Sequence, residues 1–339
     1  MGGISEEREV SLASGVQVAR ALRVAGHEVV GVDTSRGALS ASEEAAILDR
    51  GVRDPHPPDA SEDIFRTGDL GALMRDPLLT DTDLVFLTLH GGGGEDGTIQ
   101  TLLELAGMAF VGSDRLGCAL AMDKDLSKRL LRDAGVPTPD WITVGSGEEG
   151  EARLQEVVRS LGLPVIVKPP SGGSTLGLSL AHDETELGEA LILALRYEDQ
   201  VMFERYIQGR ELTVGILGDE ALPVGEIIPE HEIFDYECKY RPGMAQEIFP
   251  ADLPPGVAER VQVDALAAHR ALRLRELSRV DFILEPNGSP WCLEANALPG
   301  MTGNSLLPKA ARAAGLAFPD LCNRVAEMAL RRSKAPGGG

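Results

Sequence analysis

Between residues 279 and 296 the chain alternates polar and apolar residues around an Asn287-Gly288 pair, a preferred two-residue hairpin turn. With that turn, Asp281 falls opposite Glu294 and Arg279 opposite Asn296, and all four side chains share one face. The other face collects Val280, Phe282, Leu284, Trp291, Leu293 and Ala295, an apolar set suited to a core. Two facing carboxylates repel unless something neutralises them, and Asp, Glu and Asn oxygens are what magnesium accepts. The alternative is a solvated sheet face with incidental charges. Pro286 and Pro290 flank the turn, and a longer loop would shift the register.

Lys168 ends an apolar strand and runs into PPSGGSTLG, residues 169–177. Small residues let backbone N–H groups approach phosphates, and the Ser174 and Thr175 hydroxyls add donors. No GxxxxGK[ST] sequence is present, and a plain flexible turn is the competing reading. HGGGGEDG, residues 90–97, sets His90, Glu95 and Asp96 after a strand end, where α/β sheets place ligands; a tight turn capping a helix is the alternative. A helix beginning at Ser305 offers a hydroxyl and unpaired N–H groups to a carboxylate. The chain has only six lysines against 26 arginines, and Lys124, Lys168 and Lys239 lie within motifs. Chance retention on the surface is the expectation for Lys334 and Lys128.

The elements that must carry these groups read as α/β. A helix is expected over 5–25, with Leu12, Val16, Ala19 and Leu22 at helical spacing and Gly26 as the stop. Strands are expected at 28–32, 84–89 and 108–111, with a surface excursion around Pro55, Pro57 and Pro58. A nucleotide-type α/β domain opens on an apolar strand feeding a glycine turn. Here Met1 is followed at once by Gly2-Gly3, so the expectation is that the first strand is missing and the true start lies elsewhere. Further on, helices are expected at 122–134, 305–314 and up to Arg332, and strands at 164–168, 201–207, 211–217, 222–228, 279–284 and 291–296. Gly337 to Gly339 read as a flexible tail.

The 339 residues are too many for one simple core. No apolar run approaches the roughly 20 residues needed to span a bilayer. The opening Ser5-Glu6-Glu7-Arg8-Glu9 is acidic, unlike a signal peptide, so a cytoplasmic location is expected. A net charge of -21 argues against nucleic acid and anionic membranes as partners. The four cysteines lack CxxC spacing and read as reduced, buried thiols.

Taken in order, GGISEEREVSLASG, HGGGGEDGTIQTLLELAG, ALAMDKDLSK, AGVPTP, LPVIVKPPSGGSTLG, FDYECKYRPG, SRVDF and EANALPGMTGNSLLP resemble the D-alanine–D-alanine ligases of the ATP-grasp superfamily over nearly the whole chain. The resemblance implies a three-domain ATP-grasp fold, α/β with α+β parts: a Rossmann-like substrate domain lacking its first strand (1–116), a central lobe (117–207), a C-terminal lobe with the metal site (208–333) and a flexible tail (334–339). Lys124 and Lys168 would contact the ATP phosphates, together with Ser174 and Thr175. Glu204 and Glu211 would hold the adenine region and ribose, Tyr206 and Ile207 would form the hinge, and Lys239 would approach the γ-phosphate from a mobile loop. Asp281, Glu294 and Asn296 would bind two magnesium ions, with manganese as an alternative.

The resemblance also implies that Glu7 holds the ammonium of the first D-alanine, with His90 nearby. Ser305 and Leu306 would receive the carboxylate of the second. Glu7, Ser174 and Tyr240 would tie the mobile loop, residues 234–242, to the substrate site as a lid, against the alternative of a core-anchored hairpin tip. Arg279 and the Gly300 N–H would meet the oxyanion formed when the second amine attacks a D-alanyl phosphate. Ala297 stands where the family commonly has threonine, and SGGST replaces a commonly charged loop. A homodimer is implied as well. Competing expectations are a D-alanine–D-lactate or D-serine ligase, another ATP-grasp carboxylate–amine ligase, and a nucleotide-binding protein without catalysis.

Overall fold

The computed structural model describes residues 1–3, 5, 7–51, 77–145, 147, 151–171, 173, 176–234, 236–241 and 243–334. In chain order its elements are α1 (Arg8–Val24), β1 (Val32–Asp33), β2 (Gly37–Ala38), α2 (Ala41–Arg50), α3 (Pro77–Thr80), α4 (Thr98–Leu105), α5 (Arg115–Met122), α6 (Lys124–Asp133), β3 (Trp141–Gly145), α7 (Glu151–Leu161), β4 (Val165–Lys168), β5 (Ser179–Ala181), α8 (Glu184–Ala194) and β6 (Gln200–Arg205). They continue as β7 (Arg210–Leu217), β8 (Glu220–Ala221), β9 (Gly225–Pro229), α9 (Tyr236–Tyr240), β10 (Ala245–Ile248), α10 (Val257–Ala271), β11 (Leu277–Leu284), β12 (Pro290–Asn296), α11 (Leu306–Ala313) and α12 (Phe318–Ser333).

Two antiparallel sheets carry the molecule. The smaller runs β3-β6-β4-β5, and the larger runs β10-β9-β7-β11-β12 with β8 beside β7. β4 is buried along its whole length and packs with α8 over a core of Val165, Val167, Leu187 and Phe203. The larger sheet packs Val214, Val280 and Phe282 against Cys118 and Leu131 from α5 and α6. A third cluster joins α1 to α12, where Val18 and Leu22 meet Leu321 and Val325. The Asp123 side chain accepts from the Leu126 N–H and so caps α6, which places Lys124 at its first position.

The N-terminal part departs from the expected strands. β1 pairs only with β2, and Val85 makes a lone parallel bridge to Phe110. The Met1 ammonium donates to the Val32 carbonyl at 3.0 Å, and the Thr34 N–H donates to the Met1 carbonyl at 3.1 Å. The segments 28–31 and 86–89 form no strand among the described residues; the Gly31 carbonyl accepts from the Leu39 N–H at 2.8 Å, which extends the β1–β2 contact by one bond. The proline-rich excursion and the tail beyond Lys334 lie outside the described residues. Lys334 itself is exposed, as expected. All four cysteines are buried and none is in a disulfide.

The β11–β12 hairpin delivers the expected facing pairs by an unexpected route. Arg279 pairs with Asn296 and Asp281 with Glu294. Nearer the turn, however, Leu284 pairs with Pro290 and Phe282 with Cys292. The Ser289 carbonyl accepts from the Glu285 N–H, leaving a three-residue loop in which Gly288 has φ +85°. That shifts the register by one residue, and a bulge at Leu293 shifts it back. As a correction, Trp291 and Leu293 are not in the core: Cys292 is, fully buried with Val280 and Phe282, while Leu293 turns to the other face.

Candidate active site

Two cavities meet at a common wall formed by Lys124, Phe234, Lys239 and Glu294. One, of about 370 Å³, lies between the two sheets. Ile166 and Leu293 face each other across it with Ile227 and Ile283, a slot suited to a flat apolar ring. Its polar groups include Lys168 from β4, Glu204 from β6, Glu211 from β7 and Asp281 from β11. Tyr206 and Ile207 lie on the connection between the sheets and line the same cavity.

The other cavity, of about 280 Å³, is built from chain turns. Glu7 precedes α1, and a β-carbon at Gly91 would lie 3.2 Å from its Oε2 atom, one at Gly173 3.9 Å. The two glycine-rich segments thus close on Glu7 from either side. His90 is buried; its Nδ1 faces Glu95 Oε1 at 3.7 Å and its Nε2 has no hydrogen-bond partner in the structure. Burial would lower the His90 pKa, but Glu95 and Glu7 outweigh it and the net shift is upward. Gly300 is packed against Ser305, where an added β-carbon would stand 2.9 Å from Oγ. Ser305 occupies the N-cap position of α11, and with Leu306 and Arg279 it lines this cavity. Ser174, Thr175 and the Tyr240 side chain lie outside the described residues. α9, which carries Lys239, forms a short helix where a loop was expected.

Charge is arranged around the wall. Asp281 accepts from Arg279 Nη2 at 2.9 Å, Thr213 Oγ1 at 2.7 Å and Asn296 Nδ2 at 3.0 Å. Glu294 lies 3.5 Å from Lys124 Nζ. Burial would raise the Glu294 pKa, but Lys124, Lys239 and Lys168 overcome it and hold the carboxyl at about 2. Glu211 is the opposite case: burial, then Asp281 and Glu294, push it up to about 8. Asp281, Glu294 and Asn296 offer only hard oxygen donors on one face beside a lysine cluster, and they fit a divalent cation that accompanies a polyphosphate. Among the described residues no group of three or more Asp, Glu, His or Cys side chains forms a metal cage.

One expectation fails outright. Lys128 is fully buried, not a surface lysine. Its Nζ stands 2.5 Å from Glu204 Oε2 and 2.6 Å from Thr138 Oγ1, while Lys168 Nζ stands 2.8 Å from Glu204 Oε1. Helical spacing explains it, because Lys124 and Lys128 are one turn apart on α6 and share the face turned to the sheets. Sequence reasoning also missed Leu293 in the slot, Phe234 in the wall and Glu247, which reaches the turn-built cavity and pairs with Lys309. The lysine scarcity was a usable signal for Lys128.

The family models for the D-ala D-ala ligase N-terminus and C-terminus match residues 1–113 and 130–327. The chain belongs to the D-alanine–D-alanine ligase family. A D-alanine–D-alanine ligase of Pelotomaculum thermopropionicum is 38% identical over 97% of this chain and 95% of its own length. The crystal structure of the Bacillus anthracis D-alanine–D-alanine ligase complexed with ATP aligns with TM-score 0.75 at 32% identity, covering 98% of this chain and 97% of that one. The VanG D-Ala:D-Ser ligase of Enterococcus faecalis aligns with TM-score 0.80 at 30% identity, covering 97% of both chains. This family member therefore shares the mixed α/β, ATP-grasp architecture of those ligases across nearly its whole length.

Proposed function

We infer that the chain joins two D-alanine molecules into D-alanyl-D-alanine at the expense of ATP, a step of peptidoglycan precursor synthesis. The observation that supports it best is the pair of cavities sharing a wall of two lysines and one ionised glutamate. A phosphoryl group must pass from a nucleotide site to a carboxylate site across such a wall, and cations there spread its charge. The sheet-lined slot takes ATP: its apolar faces suit adenine, Glu204 and Lys168 meet the base edge, Glu211 the ribose, and Lys124, Lys168 and Lys239 the phosphates. Ser174 and Thr175 belong to the same phosphate cradle.

Asp281, Glu294 and Asn296 would hold magnesium, or manganese in its place, which supplies neutralising charge to the triphosphate. In the turn-built cavity Glu7 holds the ammonium of the first D-alanine with His90 behind it. The carboxylate of that D-alanine attacks the γ-phosphorus of ATP, ADP leaves, and an acyl phosphate forms. The second D-alanine lodges its carboxylate at Ser305 and Leu306, at the N-terminal end of α11. Its amine attacks the acyl carbon, Arg279 and the Gly300 N–H meet the developing oxyanion, and phosphate leaves. Residues 234–242 close over the acyl phosphate, with Tyr240, Ser174 and Glu7 bonded together, and exclude water.

The division into segments 1–116, 117–207 and 208–333 follows this assignment of roles, and a cytoplasmic homodimer is proposed with it. No described helix is long and apolar enough to cross a membrane. The test is product analysis. The purified chain with ATP, magnesium and D-alanine should release phosphate and yield D-alanyl-D-alanine. Phosphate release only with D-lactate or D-serine as second substrate would overturn the D-alanine assignment. ATP binding without phosphate release would overturn catalysis.

A further inference from the structure

Lys128 lines neither cavity, yet it is among the largest of the described side chains with no solvent exposure. An ammonium buried there is disfavoured by desolvation unless nearby groups compensate its charge. Its surroundings supply two groups: Thr138 Oγ1, which accepts a hydrogen bond at 2.6 Å, and Glu204 Oε2, an ion-pair partner at 2.5 Å, with the Trp141 ring 5.1 Å away. Thr138 is itself fixed, because the neighbouring Pro137 carbonyl accepts from the Cys292 N–H of β12 at 2.8 Å. Lys128 therefore ties α6 to β6 from behind the slot, at a point anchored to β12. The face of Glu204 that meets the slot is shared with Lys168, which holds the other oxygen at 2.8 Å.

We propose that Lys128 is a positioning residue for nucleotide selection: it grips Glu204 by one oxygen from behind, so that Glu204 and Lys168 face the base as a fixed acceptor and donor. The proposal rests on the placement of ATP in the sheet-lined slot. A carboxylate gripped in this way can only accept hydrogen bonds. It suits the exocyclic amino group of adenine and repels the carbonyl oxygen that inosine and guanosine nucleotides carry at that position. Lys168 supplies the complementary donor to a ring nitrogen. Released from Lys128, Glu204 would keep its Lys168 partner but lose its aim, while Lys124 stays at the wall, held by the Asp123 cap of α6.

The experiment uses the full chain with ATP or ITP, magnesium and D-alanine. Lys128→Met should raise KM for ATP about tenfold or more, a modest share of what breaking a buried ion pair costs. It should reduce the ATP-over-ITP preference by a similar factor and leave KM for D-alanine unchanged. Glu204→Gln, whose amide can donate to a carbonyl oxygen, should show the same loss of preference. Adding Lys128→Met to Glu204→Gln should then cost nothing further, since the pair acts as one unit.

A lower Tm in Lys128→Met with unchanged KM for ATP and unchanged base preference would leave Lys128 a packing role and overturn the proposal. Equal losses in the presence and absence of Glu204 would overturn it as well. An unchanged KM for ATP in Glu204→Gln would strike instead at the placement of ATP in the slot. Should Lys128→Met fail to fold, the double variant removes both buried charges, and Thr138→Val removes one Lys128 contact at nearly constant shape. Thr138→Val should raise KM for ATP in the same direction by a smaller factor; no change there counts against the proposal.

Discussion

The two cavities are built on different principles. The sheet-lined slot takes most of its charged groups from strands, and three of them are held by another charge: Glu204 between two lysines, Asp281 by Arg279, Glu294 near Lys124. The turn-built cavity takes Glu7, His90, Gly300 and Ser305 from helix starts and glycine turns, where close backbone approach sets the positions. Strand-borne groups are located by register and resist change through paired charges. Turn-borne groups are located by φ angles and by the lack of a β-carbon, so a single methyl can displace them. Variants in each cavity should therefore fail in different ways.

The wall belongs to both cavities, and the largest effect is expected there. Glu294→Gln should lower kcat about a thousandfold, the upper scale for losing one electrostatic group aimed at developing charge. KM for ATP and for D-alanine should both suffer, and more magnesium should be needed for half-maximal rate. Phosphate release measured across a magnesium series checks this. A variant that changes only one of the two KM values would show that Glu294 serves one cavity alone, and the shared-wall reading would fail.

Gly91→Ala probes the turn-built side. Gly91 has φ +68°, and a β-carbon would meet Ser5 at 3.1 Å and Glu7 Oε2 at 3.2 Å. Strain of about 1–3 kcal/mol is expected, with KM for D-alanine raised about tenfold as Glu7 is displaced and KM for ATP unchanged. If KM for ATP rises equally, the cavities are not mechanically separate.

The bulge in β12 gives a paired test on the strand side. Leu293→Ala removes apolar surface from the slot and should raise KM for ATP about three- to tenfold, with little change in Tm. Cys292→Leu overpacks a fully buried site and should cost about 1–3 kcal/mol of stability with KM for ATP unchanged. Reversal of the two outcomes would mean that the strand runs without a bulge and that Leu293 sits in the core.

The same hairpin shows what was legible in the sequence. The pairings Asp281–Glu294 and Arg279–Asn296 follow from period-two alternation and an Asn-Gly turn, and both are found. The residues nearest the turn were misplaced, since a longer loop and a bulge each add one residue and cancel at the functional pairs. Alternation alone cannot reveal two compensating shifts. Helix ends at Gly26 and Gly135 were readable because φ +96° and +76° call for glycine. Lys128 was misread although lysine scarcity and its place one turn from Lys124 pointed inward; its partners Glu204 and Thr138 come from other elements, and local pattern does not name them. The N-terminal strands were overextended for a related reason: 28–32 has strand composition, but of that stretch only Val32 lies in a strand, β1, paired with β2.

His269 supplies a control remote from both cavities, with the smallest expected effect on either. It is buried on α10, and its Nδ1 shares a 2.7 Å hydrogen bond with Ser278 Oγ of β11. Burial, only partly opposed by Asp219, lowers its pKa from 6.5 to about 4. Between those values the unfolded chain holds a proton on His269 that the folded chain does not, so stability rises with pH across the window. The contribution is fully present above about 6.5 and is lost as pH falls toward 4, by at most about 3 kcal/mol. In denaturant melts from pH 4 to 7, His269→Gln should flatten this slope, while KM for ATP and D-alanine at pH 7 stay as in the parent chain. An unchanged slope would show that His269 is protonated in the folded state. A shifted KM would mean that the α10–β11 contact reaches the slot, and that the division between strand-held and turn-held groups is not local to the two cavities.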